Sequence, residues 1–83
     1  PQNAYLYYNR GNLHASNGEY SNAIDDYTRA LQIDAYLAEA YYNRGLAYVK
    51  NGKKADGIRD LSRAGELGIY DAYSVIKQIS NDK

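Results

Sequence analysis

The chain has 83 residues, enough for one small domain whose core is marginal in isolation. Ten basic and ten acidic residues cancel, so the basic excess of proteins that bind a nucleic-acid backbone is absent, and no apolar run approaches the roughly 20 residues of a membrane span. Without cysteine, disulfides and thiolate metal sites are excluded, and we expect no cofactor.

Apolar and small residues recur at helical spacing along most of the chain, which predicts five helices. Asn3 is placed to cap the first, and Asn17-Gly18 and Asn51-Gly52 are placed to end the first and the third. Asp26 and Asp60 are predicted on exposed helix faces, paired with Arg29 and Arg63. The predicted helices cover about residues 4–15, 19–33, 38–50, 54–67 and 72–79.

An internal repeat organises these helices. Residues 4–37 align with residues 38–71 without a gap and share thirteen identities. Tyr7-Tyr8-Asn9-Arg10-Gly11, for example, returns 34 residues later as Tyr41-Tyr42-Asn43-Arg44-Gly45. A period of this size is typical of stacked repeats, in which each unit covers an apolar face of its neighbour.

The residues inside the period resemble the tetratricopeptide repeat, a helix–turn–helix of 34 residues with a W-x2-L-G-x2-Y…A-x3-F…P pattern. Arg10 and Arg44 replace the usual Leu, and Ala35 and Ile69 replace the closing Pro. A Sel-like helical repeat is suggested by residues 64–68, but its period is usually longer. The positions of the tetratricopeptide pattern are occupied by Tyr7, Gly11, His14, Ala23, Tyr27 and Ala30 in the first unit and by Tyr41, Gly45, Tyr48, Gly57, Leu61 and Ala64 in the second.

This resemblance implies an all-α fold, a superhelix of antiparallel helix hairpins. We expect one repeat at 4–37, a second at 38–71, a C-terminal capping helix at 72–80 and a tail at 81–83. A start at Pro1-Gln2-Asn3 without Met is expected of an excised fragment or processed product. No compartment is specified, and the cytoplasm is the default expectation for a soluble chain of this kind.

The segment that joins the two repeats leaves two outcomes open. Asp34, Ala35, Tyr36 and Leu37 stand where the family breaks the helix with Pro, yet Ala is the best helix former. Either this hinge turns, so that the apolar faces on both sides fold back, or the second and third helices fuse into a rod. A rod would favour helix exchange between two copies, giving a homodimer or homo-oligomer with a scaffold role.

No arrangement of residues indicates an enzyme. The one histidine, His14, stands where the family has a packing residue, and no oriented partner for catalysis is evident. Asp25 and Asp26 are adjacent in a helix and therefore diverge by about 100°, which favours solvated carboxylates over a proton-sharing pair. We therefore expect a non-catalytic module that binds a protein or peptide, with no nucleic acid, membrane or metal among its partners.

In the family, the first helix of each hairpin lines a concave groove. Some members of the family bind the C-terminal carboxylate of a peptide with Asn and basic residues, an arrangement called a carboxylate clamp. Asn12, Asn43 and Lys77 stand at clamp positions. Tyr8 and Tyr73, however, replace two of its lysines, so we do not expect a clamp here. Tyrosines suit a binding surface because they offer large contact area at low entropic cost, whereas Tyr7, Tyr27 and Tyr41 are predicted in the core. The predicted peptide-binding residues are Tyr5, Tyr8, Asn12, Glu39, Tyr42, Asn43, Leu46, Tyr73 and Lys77. Further predicted groove positions are Ala15, Ser16, Val49, Lys50, Ile76 and Ser80, with Tyr36 at the rim.

Overall fold

The computed structural model describes residues 3–81, which form five α-helices and no strand. Turns at 17–19, 34–37, 51–53 and 67–70 join the helices, and these short connections make neighbours antiparallel. The all-α hairpin fold predicted from the sequence is confirmed. Residues 82 and 83 of the predicted tail lie outside the described residues, while Asn81 belongs to the last helix. The helices are α1 (Ala4–Ser16), α2 (Tyr20–Ile33), α3 (Ala38–Lys50), α4 (Lys54–Glu66) and α5 (Asp71–Asn81).

Local signals set the helix ends close to where the pattern predicted them. The side chain of Asn3 caps α1 by accepting a hydrogen bond from the Tyr5 backbone N–H at 2.9 Å. Gly18 and Gly52 follow the first and third helices with φ of 77° and 84°, the left-handed conformation that glycine adopts without steric cost. The first helix of each repeat is therefore followed by a glycine in the left-handed conformation.

The core runs along the stack as three apolar clusters. Its largest fully buried side chains are Tyr27 of α2 and Leu61 of α4, which are 34 residues apart and occupy the same place in the two hairpins. A cluster between the hairpins contains Leu31, Leu37 and Ala40, so α3 packs on α2 as well as on α4. Among residues 3–81, no helix combines the length and apolar character required to cross a bilayer.

The hinge turns, and the fused rod is not found in this structure. Helix α2 ends at Ile33, and Asp34 is extended with φ −135° and ψ 97°. Its side chain accepts from the Tyr36 N–H at 3.0 Å and its carbonyl accepts from the Leu37 N–H at 3.2 Å. Leu37 is only 4% exposed. Burying a Leu side chain is worth about 1.5–3 kcal/mol, which outweighs the few tenths that Ala35 gains by staying helical. Homo-oligomerisation by helix exchange stays a prediction.

The helices of each hairpin cross where glycine leaves no room for a side chain. A Cβ built on Gly45 would lie 2.9 Å from the carbonyl oxygen of Gly57, and one built on Gly57 would lie 2.7 Å from the carbonyl oxygen of Gly45. A Cβ on Gly11 would meet the ring of Tyr27 at 2.7 Å. Gly11 and Gly45 therefore lie where paired helices pack closely. Gly57 faces Gly45 across the α3–α4 crossing, so its missing side chain permits the same close approach.

We expect Gly57→Ala to destabilise the protein by about 1–3 kcal/mol, because the overpacked crossing must open. Helix propensity alone predicts the opposite sign, a gain of about 1 kcal/mol. Urea unfolding measures the difference. The matched control is Asn22→Ala on the exposed face of α2, which gains propensity without a clash and should stabilise slightly. A Gly57→Ala protein as stable as the parent would contradict the tight crossing.

We expect Ala35→Pro to stabilise the protein by about 0.4–1 kcal/mol by restricting the unfolded chain. The extended Asp34 is the conformation preferred before proline, and among residues 3–81 the Ala35 N–H has no hydrogen-bond partner to lose. Chemical denaturation gives the stability and light scattering the mass. A dimer that becomes a monomer on this substitution would support helix exchange, whereas a parent chain that is already monomeric would remove it.

Candidate functional site

A cavity of about 360 Å³ opens between the C-terminal halves of α1 and α3, with α2 as its floor. Helix α1 supplies Asn12, Ala15 and Ser16, all predicted to line a groove. Helix α3 supplies Leu46 and Lys50, which were also predicted. The full lining is Asn12, Ala15, Ser16, Tyr20, Tyr27, Asn43, Leu46, Ala47 and Lys50. Both asparagines of the predicted site are thus brought together at one wall of the cavity.

Four side chains from three helices form a hydrogen-bonded cluster at that wall, which we call the amide cluster: Tyr8, Asn12, Tyr27 and Asn43. The Nδ2 group of Asn43 donates to Tyr8 Oη and to Asn12 Oδ1, both at 3.0 Å. The hydroxyl of Tyr27 donates to the same Asn12 Oδ1. These bonds fix the orientation of both amides, because each amide would otherwise rotate freely about its last torsion.

Tyr27 was predicted to be a core residue, and at 1% exposure it is one. Burial raises the pKa of its hydroxyl to about 12, with smaller contributions from Tyr8 and Asp26. A phenol that stays protonated remains a hydrogen-bond donor over the whole physiological range, so it holds Asn12 Oδ1 as an acceptor. The sequence did not predict that the hydroxyl of this core residue would belong to the site.

An aromatic row leads away from the amide cluster along α1. The rings of Tyr5 and Tyr8 meet edge to face at 5.9 Å, and the ring of Tyr8 lies 5.9 Å from that of Tyr27. Tyr27 is buried, Tyr8 half-buried and Tyr5 47% exposed, so the row passes from core to solvent. Of the predicted tyrosines, Tyr5 presents most free surface on this side.

Tyr42 and Leu46 are held by contacts within the fold. Both pack on the cluster formed by Leu61, Ala64 and Ala72. The hydroxyl of Tyr42 donates to Asp71 Oδ2 at 3.2 Å, and burial first, then this bond, raises its pKa. Tyr42 therefore links α3 to α5. Glu39 is exposed in the first turn of α3 and does not line the cavity.

Tyr73 and Lys77 of α5 also lie outside the cavity lining. The ring of Tyr73 covers Gly65 of α4, where an added Cβ would lie 2.5 Å from its Cζ. Lys77 is exposed. Of the nine predicted peptide-binding residues, three therefore line the cavity and two more, Tyr5 and Tyr8, lie beside it, while the α5 positions form a separate surface.

Besides Tyr27, two residues of the lining were not predicted to face the groove: Tyr20 and Ala47. Tyr20 begins α2, and because the turn at 17–19 is short, its ring reaches the end of α1. Ala47 follows Leu46 and is 2% exposed. The family rule that only first helices line the groove overlooked α2, which closes the cavity from below.

The ion pairs differ from those expected. Asp26 and Asp60 are buried at 6% exposure, so the exposed pairs predicted with Arg29 and Arg63, and the solvated carboxylate predicted for Asp26, are wrong. Asp26 accepts two bonds from Arg10, both at 2.8 Å. Asp60 accepts the same two bonds from Arg44, at 2.7 and 2.9 Å. Each pair ties the two helices of one hairpin together. Arg29 instead lies over the Tyr7 ring at 5.3 Å.

His14 sits beside the first of these pairs as a packing residue. Its Nδ1 lies 2.7 Å from Glu19 Oε1, and its Nε2 lies 3.6 Å from Asp26 Oδ2. Both ring nitrogens thus face carboxylates, that of Glu19 in the turn between α1 and α2 and that of Asp26 on α2. Among residues 3–81, no group of three potential metal-ligating side chains occurs.

Comparisons with known protein families agree with this architecture. A family model described as TPR repeat matches residues 11–52, half of the chain. A second model, described as Tetratricopeptide repeat, matches residues 38–67. No curated protein matches the chain.

We expect Asp26→Asn to destabilise the protein by about 1–3 kcal/mol at pH 7, since Arg10 loses its charged partner. The bonds from Arg10 lower the pKa of Asp26 below 3.8 despite the opposing effect of burial, and the charges of Arg10, His14 and Arg29 act in the same direction. A lowered pKa stabilises the fold above about pH 4, and that contribution is lost as pH falls through the folded-state value.

Urea unfolding at pH 7 and pH 3 measures this effect. The difference between parent and Asp26→Asn should be large at pH 7 and smaller at pH 3. Asp25→Asn, on the exposed neighbour, is the matched control and should change little at either pH. Equal losses of stability at both pH values would show that the change in side-chain hydrogen bonding, and not the loss of the carboxylate charge, destabilises the variant.

Proposed function

The chain belongs to the tetratricopeptide repeat family, and we propose that it binds an extended peptide segment of a partner protein at the cavity between α1 and α3. Repeats of this family are generally protein–protein interaction modules and are typically non-catalytic. The observation that supports the more specific proposal is the amide cluster, because the other hydrogen-bonding groups of its two asparagines have no partner among residues 3–81.

The unused groups form a complementary pair. A side-chain amide offers two N–H donors and an oxygen with two lone pairs. Asn43 uses both donors on Tyr8 and Asn12, and among residues 3–81 its Oδ1 has no partner. Asn12 has the converse pattern, with Oδ1 occupied twice and Nδ2 without a partner in the same range. One free donor and one free acceptor, on residues that line the same cavity, match the C=O and N–H of a peptide backbone.

The rest of the cavity suits a side chain of that peptide. Ala15, Leu46 and Ala47 give an apolar wall, and the exposed Lys50 adds a cation. A volume of about 360 Å³ lies at the lower end of the range of about 300–1,000 Å³ that is usual for ligand pockets. The backbone contacts fix the register of the peptide, and the apolar wall with Lys50 selects a side chain that is apolar or acidic.

The tyrosines extend the proposed site along the peptide. Tyr5 continues the aromatic row beyond Tyr8 and has free surface for contact. On the other side, Glu39 and Tyr42, and then Tyr73 and Lys77, provide further contacts for a peptide long enough to pass from α3 to α5. Because the site offers amides rather than a set of cations, we propose that it recognises an internal backbone segment and not a C-terminal carboxylate.

We expect Asn43→Leu to weaken peptide binding at least tenfold, or about 1.4 kcal/mol, because it removes the free acceptor and releases Asn12. The probe is a 12-residue peptide selected on the purified chain from a random library, and fluorescence anisotropy gives its Kd. Asn9→Leu is the matched control, since Asn9 is exposed on α1 and outside the cavity. Thermal unfolding checks that both variants are folded.

A scan of the same peptide tests the backbone contact directly. Methylating one backbone nitrogen at a time should abolish binding at one position where changing the side chain to Ala has little effect. If every N-methylated peptide binds as well as the parent, or if folded Asn43→Leu binds normally, the amide cluster is not the recognition element.

A further inference from the structure

One face of α3 carries opposite charges at its two ends. Glu39, Asn43, Leu46 and Lys50 follow one another at spacings of three and four residues, which places them on the same side of the helix. The last three line the cavity, and Glu39 lies beyond it in the first turn of α3. We call these four residues the α3 stripe. A peptide held at Asn43 therefore lies between a carboxylate and an ammonium group.

The two charges of the α3 stripe have no ion-pair partner within the fold. Glu39 and Lys50 are exposed, and neither forms an ion pair among residues 3–81. Their counterparts 34 positions earlier are Tyr5 and Ser16, which are uncharged. The separation of charge is therefore a property of the second repeat alone and is not dictated by the repeat period.

The positive end of the stripe extends into the turn after α3. Lys53 and Lys54 are exposed, lie within four residues of Lys50, and form no ion pair in the part of the chain that the structure describes. They stand at the start of α4, where positive charge opposes the helix dipole, so they do not stabilise that helix. In the first repeat the counterpart of Lys53 is Glu19, which lies 2.7 Å from His14 Nδ1. Three cations without a carboxylate partner thus stand at the end of the cavity that Lys50 lines.

The negative end of the stripe is reinforced by a second carboxylate. Asp71 is exposed at the start of α5, and its Oδ2 accepts from the hydroxyl of Tyr42 at 3.2 Å. Tyr42 lies one turn after Glu39, so this bond brings Asp71 to the end of α3 that carries Glu39. Helix dipoles favour both carboxylates, which alone would not indicate a ligand. Together with the unpaired lysines they give the site two ends of opposite sign.

We propose that the bound segment has a Lys or Arg facing Glu39 and Asp71, and an Asp or Glu facing the three lysines. The inference rests on the proposed function, because the amide cluster holds the peptide between the two charged ends. Contacts to backbone N–H and C=O groups are compatible with either direction of the peptide chain. Complementary charges select one direction, since the reverse places like charges together at both ends.

Helix geometry sets the spacing of the two charged residues in the peptide. An α-helix rises about 1.5 Å per residue, so Glu39 lies about 6 Å from Asn43 along the axis, and Lys50 about 10.5 Å away in the opposite direction. An extended peptide rises about 3.3 Å per residue. The basic residue therefore stands about two positions to one side of the backbone group that contacts the amide cluster, and the acidic residue about three positions to the other side.

The test uses the selected peptide with capped termini and with its own charged residues changed to Gln. Two designs place a Lys two positions to one side of the backbone nitrogen found by the N-methyl scan and a Glu three positions to the other, one design for each direction of the chain. Each has a matched peptide in which Lys and Glu are exchanged. By fluorescence anisotropy we expect one design to bind at least tenfold more tightly than its exchanged partner in low salt. The preference should largely disappear at about 1 M salt, where the screening length is about 3 Å.

Variants of the protein assign the two ends. Lys53→Glu should reduce the preference at least threefold, and the fold accepts glutamate there because Glu19 occupies this place in the first repeat. Arg29→Glu is the matched change of charge on an exposed residue outside the cavity lining and should leave the preference unchanged. Glu39→Gln should reduce it severalfold from the negative end. Circular dichroism confirms folding of each variant.

The outcomes separate this inference from the proposed function. If each design and its exchanged partner bind equally while Asn43→Leu still weakens them all, the charges do not select the segment and the proposed function stands. A preference that survives Lys53→Glu would place the acidic residue elsewhere and overturn the inference. If the N-methyl scan finds no sensitive nitrogen, or if folded Asn43→Leu binds normally, the proposed function fails and the inference fails with it.

Discussion

The tight crossing of paired helices is the constraint on which the rest of the structure depends. At Gly45 and Gly57 the carbonyl of each residue occupies the space that a Cβ of the other would need. The missing side chains also make room for the two largest fully buried residues. The ring of Tyr27 lies 2.7 Å from where a Cβ of Gly11 would be, and Leu61 lies 2.9 Å from where a Cβ of Gly45 would be. The Arg–Asp pairs, in each of which the Asp is buried, then tie the two helices of each hairpin together.

The fold was predictable from the sequence to the extent that it depends on local signals and on the period. Asn3, Gly18 and Gly52 act within a few residues of their own positions, so the helix ends followed directly. The hinge did not follow, because the helix propensity of Ala35 and the burial of Leu37 act in opposite directions and only packing decides between them. The role of Gly57 was likewise hidden, since its partner lies on another helix.

The Arg–Asp ion pairs could have been predicted from the 34-residue period. Arg10 precedes Asp26 by sixteen residues, and Arg44 precedes Asp60 by the same distance. Two pairs of opposite charge that recur in phase are a signal for contact across the hairpin. Pairing each Asp with the Arg three residues later used only the geometry of a single helix. The position of Asn12 and Asn43 on first helices was predictable, but their mutual contact depends on how closely the two repeats stack, which no local pattern records.

Two bonds of the amide cluster join residues that are 31 and 35 positions apart in the chain, one in each repeat. Only the bond from Tyr27 to Asn12 lies within the first repeat. A truncated product ending near the hinge would keep that bond but lose Asn43, and with it both bonds between the repeats and the free acceptor. Peptide binding at the proposed site would then begin only when the second repeat is present. An incomplete chain, whether during synthesis or after proteolysis, would not bind the peptide.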